Sequence, residues 1–465
     1  MTGRAFCAVS HCLPSGPGSS VAGASRRLER SLLGGGYVYP PEAVMNRRAF
    51  LFGTITCLAL PAVARSGTLG IDLPQLRGSL AVPEPRPVAR RTGDRSVELQ
   101  AAINRAASAG RPLRIPAGRY EVSNIRLPDR ARLVGVPGET RLVYSGGGRF
   151  LYADEARTLS LEGLVLDGAN RMLSDEDDGL LSLAFVDNAD LARLAVQGSV
   201  GHGVALTRTG GSLRDCCVSG AIGVGIMSTE GNALTIAGNT VSDCVGGGIH
   251  LRRWTVGNDR STVRDNRIHS VGEAGIRLSS AGTVRIAGND LQAIEGAAIV
   301  ADAASAGTSV SNNAIDGAAL GIALLADGGD RLSLVEGNVV RNVVEASVVG
   351  AAGKRAGGVG IHVETHGSVT GNVIEAAPHL GLSLGWGAML GNVVASGNVI
   401  RRAGTGIGVS VLASEQATIV TGNLLVDVPG GAVRGMRFAE FATDDLTRVG
   451  AAAWPGLTVG ENRVA

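Results

Sequence analysis

Over most of the chain, aliphatic and polar residues alternate in short runs. Ala233-Leu234-Thr235-Ile236, Gly248-Ile249-His250-Leu251 and Thr283-Val284-Arg285-Ile286 each place a hydrophobic side chain at every second position. Successive side chains of an extended backbone point to opposite faces, so this period predicts strands; a helix would repeat every three to four residues.

The runs recur in a fixed setting. Asn239, Asn266, Asn289, Asn313, Asn338, Asn372, Asn398 and Asn423 each precede, by two residues, a Val, Ile or Leu. A second mark, an aliphatic residue in a Gly-x-Gly-Ile-like context, falls at Val204, Ile226, Ile249, Ile276, Ile299, Ile322, Ile361, Leu382, Ile407 and Val433, in steps of 22, 23, 27, 23, 23, 39, 21, 25 and 26 residues. From Asn239 to Ile249, Asn266 to Ile276, Asn289 to Ile299, Asn372 to Leu382 and Asn423 to Val433 the distance is ten residues. A period in the twenties is one coil of a solenoid, and the stretch of varying length between each aliphatic anchor and the next Asn is expected in loops on one side.

Stacked parallel strands bury one aliphatic face inside the coil, so each coil needs its neighbours to complete a core. The Asn is expected to take the left-handed backbone of a sharp corner and to hydrogen-bond its counterpart on the next coil, forming a ladder. Cys216 occupies the equivalent place ahead of Ile226, so the ladder is expected to begin one coil later. Leucine-rich repeats would show Leu-x-x-Leu-x-Leu, and left-handed hexapeptide helices a six-residue beat; neither is present. The pattern predicts an all-β, single-stranded right-handed parallel β-helix, a solenoid of about nine rungs.

Residues 93–170 carry a different signature: Gly93-Asp94, a helical run from Val97 to Ile103, Arg114-Ile115-Pro116-Ala117-Gly118-Arg119-Tyr120, then Leu166-Asp167-Gly168. This resembles the opening of pectate-lyase-like β-helix proteins, in which a helix caps the open end of the coil. Asp94 is the expected helix N-cap and Gly110-Arg111-Pro112 the stop. With the leader described next, the repeats also resemble twin-arginine-exported repeat proteins of unassigned activity. The expected organisation is a non-native upstream extension (1–44), signal peptide (45–64), linker (65–92), cap and first coils (93–170), repeats (171–433) and a C-terminal cap (434–465).

Composition bears this out only coarsely: 69 Gly and 3% aromatic residues suit tight turns between aliphatic strands. Arg47 and Arg48, followed by an apolar stretch from Phe50 to Leu60 and Ala62-Val63-Ala64, form a twin-arginine-type signal peptide, with Asn46 and Phe52 departing from the usual motif. The apolar run is shorter than the ~20 residues of a membrane span, so no stable span follows cleavage, and the location expected is periplasmic or secreted. Removing residues 1–64, with six of 43 basic and two of 41 acidic residues, leaves 37 against 39, which argues against nucleic acid as partner. Three of six cysteines remain, Cys216, Cys217 and Cys244, with buried packing the expected role for at least one.

If the anchors point inward, their neighbours form outward columns. One reads Ala205, Met227, His250, Arg277, Val300, Ala323, His362, Ser383, Gly408; the other Thr207, Thr229, Arg252, Ser279, Asp302, Leu325, Glu364, Gly385, Ser410. His250, Arg252, Arg277 and Asp302, from three successive rungs about 4.8 Å apart, are the catalytic candidates. Arg can neutralise a uronate carboxylate while a neutral His or Arg takes the adjacent proton, giving elimination or epimerisation; paired carboxylates would instead hydrolyse. Ser279, His362, Glu364, Trp254 and Trp386 are the substrate-binding candidates. Gly201-His202-Gly203 alone is a weak hydrolase signal and precedes the polar rungs. Asp175-Glu176-Asp177-Asp178 is either a cation site or a solvated turn, and no metal ligands or cofactor are assigned. Against an enzyme acting on an acidic polysaccharide stands a non-catalytic binding or envelope solenoid, whose polar strip is merely solvated.

Overall fold

The structure is a computed structural model describing residues 93–174, 179–302, 304–325, 331–350, 353–412 and 417–465, with the backbone alone at 347–350 and 353–356. The signal peptide and the acidic run 175–178 lie outside the described residues. Among the described residues no helix is long and apolar enough to cross a membrane.

Helix α1 (Ser96–Ser108) starts where Asp94 accepts the Ser96 amide proton at 2.7 Å. It buries Leu99 and Ile103 against the first coils and leaves Val97 84% exposed. Gln100 fastens it by exchanging hydrogen bonds of 2.8 Å with both backbone groups of Arg126.

Each coil that follows contributes strands to three faces. Face 1 is a 14-stranded parallel sheet running from Leu113–Arg114 to Leu457–Gly460. Faces 2 and 3 belong to one 24-stranded network, because strands such as Asp290–Ala301 and Val399–Ser410 run through the corner between them. The anchors from Val204 to Val433 pair residue for residue along face 3. The column extends back through Leu181, Leu151 and Ile125, so the coils outnumber the nine expected. The anchors are at most 1% exposed and join one continuous core.

At the corner of faces 1 and 2 the Asn ladder is present and runs from Asn239 to Asn462. Each Nδ2 donates to the next Oδ1 at 2.9–3.0 Å, and the same oxygen accepts the backbone amide below it. Cys216 stands one coil earlier, its amide donating to Asn239 Oδ1 at 2.9 Å. The assignment of the left-handed backbone needs correction: it belongs to the residue before each Asn, as at Gly238 (φ 67), Asp265 (φ 56), Gly288 (φ 66) and Gly337 (φ 63). That residue turns the chain, so the Asn after it points into the coil, where the Asn239–Asn423 series is at most 1% exposed.

The 39-residue step also departs from expectation. Its extra residues enter between Asn338 and Ile361, at the corner of faces 2 and 3, as an antiparallel hairpin of Ser347–Gly350 and Gly353–Ala356. Gly357 donates to the Ala346 carbonyl at 2.7 Å, closing the coil at the hairpin's base. The hairpin lies against the strands Asp290–Ala301 and Ala314–Leu324. Further along, Glu440–Asp445 folds back antiparallel on Val433–Arg437 and leads into the short helix α2 (Leu446–Val449). A second apolar cluster, separate from the core, gathers Leu320, Ala323, Val359, Leu380 and Met436 with Val300, Leu325 and Phe441. The later coils of face 3 are therefore covered; on the earlier ones Met227 and Thr229 are also buried, at 8% and 4%, while His250, Arg252 and Arg277 stay partly exposed.

Cys216 and Cys244 are buried, Cys217 is exposed, and all three are free thiols. Burial pushes Cys216 up to about 11 and Cys244 up to about 12, as for packed, unreactive thiols.

Candidate functional site

Strand pairing puts both outward columns in the register that the anchors imply. His250 stands beside Met227 on one coil and Arg277 on the next, and Arg252 beside Thr229 and Ser279. Four polar side chains from two neighbouring coils thus share the open part of face 3.

His250 is part-buried, and its Nε2 lies 2.9 Å from Ser279 Oγ. Burial, then the charges of Arg277, Arg252 and His202, push its pKa down to about 3. The imidazole is therefore neutral at any ordinary pH. Arg277 is loosely held by the exposed Glu273 at 3.4 Å. Arg252 has no ion-pair partner among the described residues, and its Nε, buried, has no hydrogen-bond partner there. A neutral base between two guanidinium groups is a site short of an anion.

Other candidates sit differently. Asp302 accepts the Ser280 amide proton at 3.0 and 3.2 Å and the Ser305 hydroxyl at 2.7 Å, so its carboxylate is committed to the turn beyond the strand. Its pKa is raised, burial outweighing those bonds and the Arg277 charge. His362 and Glu364 keep the outward register but are covered: they are 5% and 2% exposed, with His362 Nδ1 2.9 Å from Ser383 Oγ and Nε2 3.3 Å from Glu364 Oε1. They lie four coil steps past His250, about 19 Å by strand spacing. Trp386 packs edge-on against Phe438 at 5.8 Å, whereas Trp254 is 59% exposed.

Two contributors, Phe185 and Arg208, carry no mark in the sequence, and a third, His202, is marked there only as part of Gly201-His202-Gly203. His202, two coils before His250, accepts the Val224 amide proton at Nδ1 (3.0 Å) and adds to the field on His250. Phe185 and Arg208 occur at corners, where no alternation marks them; the Arg208 guanidinium lies 5.4 Å from the Phe185 ring and 5.4 Å from the Trp254 ring.

Residues 182–374 match the family model described as right handed beta helix region. No curated protein matches the chain. Among solved structures the chain is similar to the A-module of the Azotobacter vinelandii mannuronan C-5 epimerase AlgE6, at 17% identity over 81% of this chain and 97% of that one (TM-score 0.49). It is also similar to the N-terminal fragment of bacteriophage Phi29 gene product 12, at 14% identity over 80% and 71% (TM-score 0.48). A variant of the periplasmic alginate epimerase AlgG shares 13% identity over 88% and 100% (TM-score 0.44).

Proposed function

Because the chain is a right-handed parallel β-helix with an open cationic strip on one face, we propose that it binds an acidic polysaccharide there and acts on it as a lyase or epimerase. The observation that carries this reading is His250, held neutral between Arg252 and Arg277 on adjacent coils. A uronate carboxylate would pair with the two arginines, stabilising the carbanion that forms when the neighbouring C–H proton leaves. His250 takes that proton. Burial and then the two guanidinium charges keep the imidazole a weak base, and the bound anion offsets the charges, so its basicity rises as substrate arrives. The intermediate then either expels the glycosidic oxygen, which takes back the proton held by His250 and leaves an unsaturated sugar, or is reprotonated by water from the opposite side, giving the epimer, while His250 returns its proton to solvent.

Hydrolysis by two carboxylates draws no support from this geometry, since Asp302 is tied to its turn and Glu364 is buried two coil steps away. Binding by Ser279 and Trp254 fits the open half; His362, Glu364 and Trp386 fall in the covered half. Export through the leader that holds Arg47 and Arg48 is part of the same proposal and places the site where extracellular glycans are met.

The test is product formation on uronate polymers, read as absorbance of the unsaturated sugar and as C-5 configuration by NMR. His250→Ala and Arg277→Ala should each lower turnover about 100-fold or more. Unchanged turnover in both variants would remove these residues from the reaction. A second reading, a binding solenoid without chemistry, is favoured by how weak a base His250 is when no anion is bound; tight binding with neither product would establish it.

A further inference from the structure

At the edge of face 3, where the chain turns toward face 1, one residue per coil has a left-handed backbone: Phe185 (φ 55), Arg208 (φ 47) and Glu230 (φ 55). Their amides climb the coils in step, Phe185 donating to Thr207, Arg208 to Thr229 and Glu230 to Arg252. One coil on, the chain bulges: Arg253, Trp254, Thr255 and Val256 stand opposite the single Ser280. Glu230 holds this bulge at both ends of its carboxylate. Oε1 accepts the Trp254 amide proton at 2.7 Å, and Oε2 accepts from Arg253 Nη2 at 2.7 Å, while Arg253 Nη1 donates to the Gly231 carbonyl at 3.0 Å.

The clamp turns Trp254 back over Arg208, two coils away, and Phe185 flanks the guanidinium from the other side. In a chain with 3% aromatic residues, two rings left 50% and 59% exposed on one edge are not spent on packing. Among the described residues Arg208 has no ion-pair partner. An open cleft of about 890 Å³ lies beside it, lined by Phe185, by the guanidinium groups of Arg126, Arg157 and Arg208, and by the carboxylates of Asp129, Asp154, Glu155 and Asp187. Arg126 and Arg157 are paired with Asp154 and Asp129, at 3.7 and 2.8 Å.

We propose that Phe185, Arg208 and Trp254 form a binding ridge for acidic sugar residues, extending the cationic strip toward the N-terminal cap. The inference rests on the polysaccharide reading above and names where the rest of the polymer lies. Ring faces suit the C–H faces of sugars, the unpaired guanidinium suits a carboxylate, and the cleft carboxylates accept hydroxyl protons. Densely charged polyanions are disfavoured by those same carboxylates. The ridge spans three coil steps, about 14 Å along the axis, and ends on the coil that carries His250. One extended glycan would therefore meet both.

The full chain would be titrated with uronic-acid oligosaccharides of increasing length, and with neutral ones of equal length, by calorimetry and tryptophan fluorescence. Wild-type affinity should rise with length. Arg208→Ala and Trp254→Ala should each lose about tenfold on the long acidic oligomers and little on the shortest, with thermal midpoints unchanged because both side chains are exposed. His250→Ala should keep long-chain affinity while losing product. If the wild type binds acidic chains and both ridge variants bind every length equally well, the ridge is wrong and the strip stands. Length-dependent loss in the ridge variants without any product from the wild type upholds the ridge and removes the reaction. Equal affinity for neutral and acidic oligomers overturns the acidic ligand class, and no binding at all overturns both.

Discussion

His250 is more stable uncharged in the folded chain than it is in water. Its ordinary pKa near 6.5 falls to about 3 through burial first, then through the guanidinium groups of Arg277 and Arg252 and the nearby His202. Between those values the unfolded chain holds a proton that the folded one does not, so the contribution of His250 is fully present above pH 6.5 and is lost as pH falls toward 3. Chemical denaturation of wild type and His250→Asn across pH 4–7 should show a smaller loss on acidification in the variant; parallel curves would contradict the placement. The arginines beside His250 could be read from the register alone. Its burial could not, because alternation tells which way a side chain points and not what covers it, a difference sharper still at His362 and Glu364.

The ladder is the element whose energetics follow most directly from its bonds. Asn338→Ala would strip Asn313 of the acceptor for its amide (3.0 Å) and its Nδ2 (2.9 Å), and Val310 of the donor to its carbonyl (3.0 Å), at a site with no solvent. Leaving buried groups unmet costs about 1–3 kcal/mol each, so urea unfolding should show a loss of about 3 kcal/mol or more. Asn462→Ala, at the half-exposed end of the ladder, should cost less. The spacing of the asparagines predicted this contact. It did not separate Asn from the residue before it as the left-handed one, since Gly and Asn both tolerate that backbone and only one of each pair can turn the corner.

A solenoid of this kind is held by neighbour-to-neighbour contacts, so its ends need closing. Ile103, 2% exposed on α1, closes the first, and Val97 on the same helix faces solvent. Ile103→Asp should open the cap and cause association visible by light scattering, while Val97→Asp should remain as the wild type. Ten anchors were legible from Val204 to Val433 because each coil repeats the demand for one inward aliphatic residue. The covering of the later coils was not, because it comes from the hairpin and from residues past Val433, where nothing repeats. The hairpin's base has a wider meaning. Ala346 and Gly357 meet across one hydrogen bond as though the residues between them were absent, so the winding asks of an inserted segment only that its two ends arrive together. The coil is thus a spliceable frame, into which new surface can be introduced, lengthened or exchanged while the inner wall remains as it was.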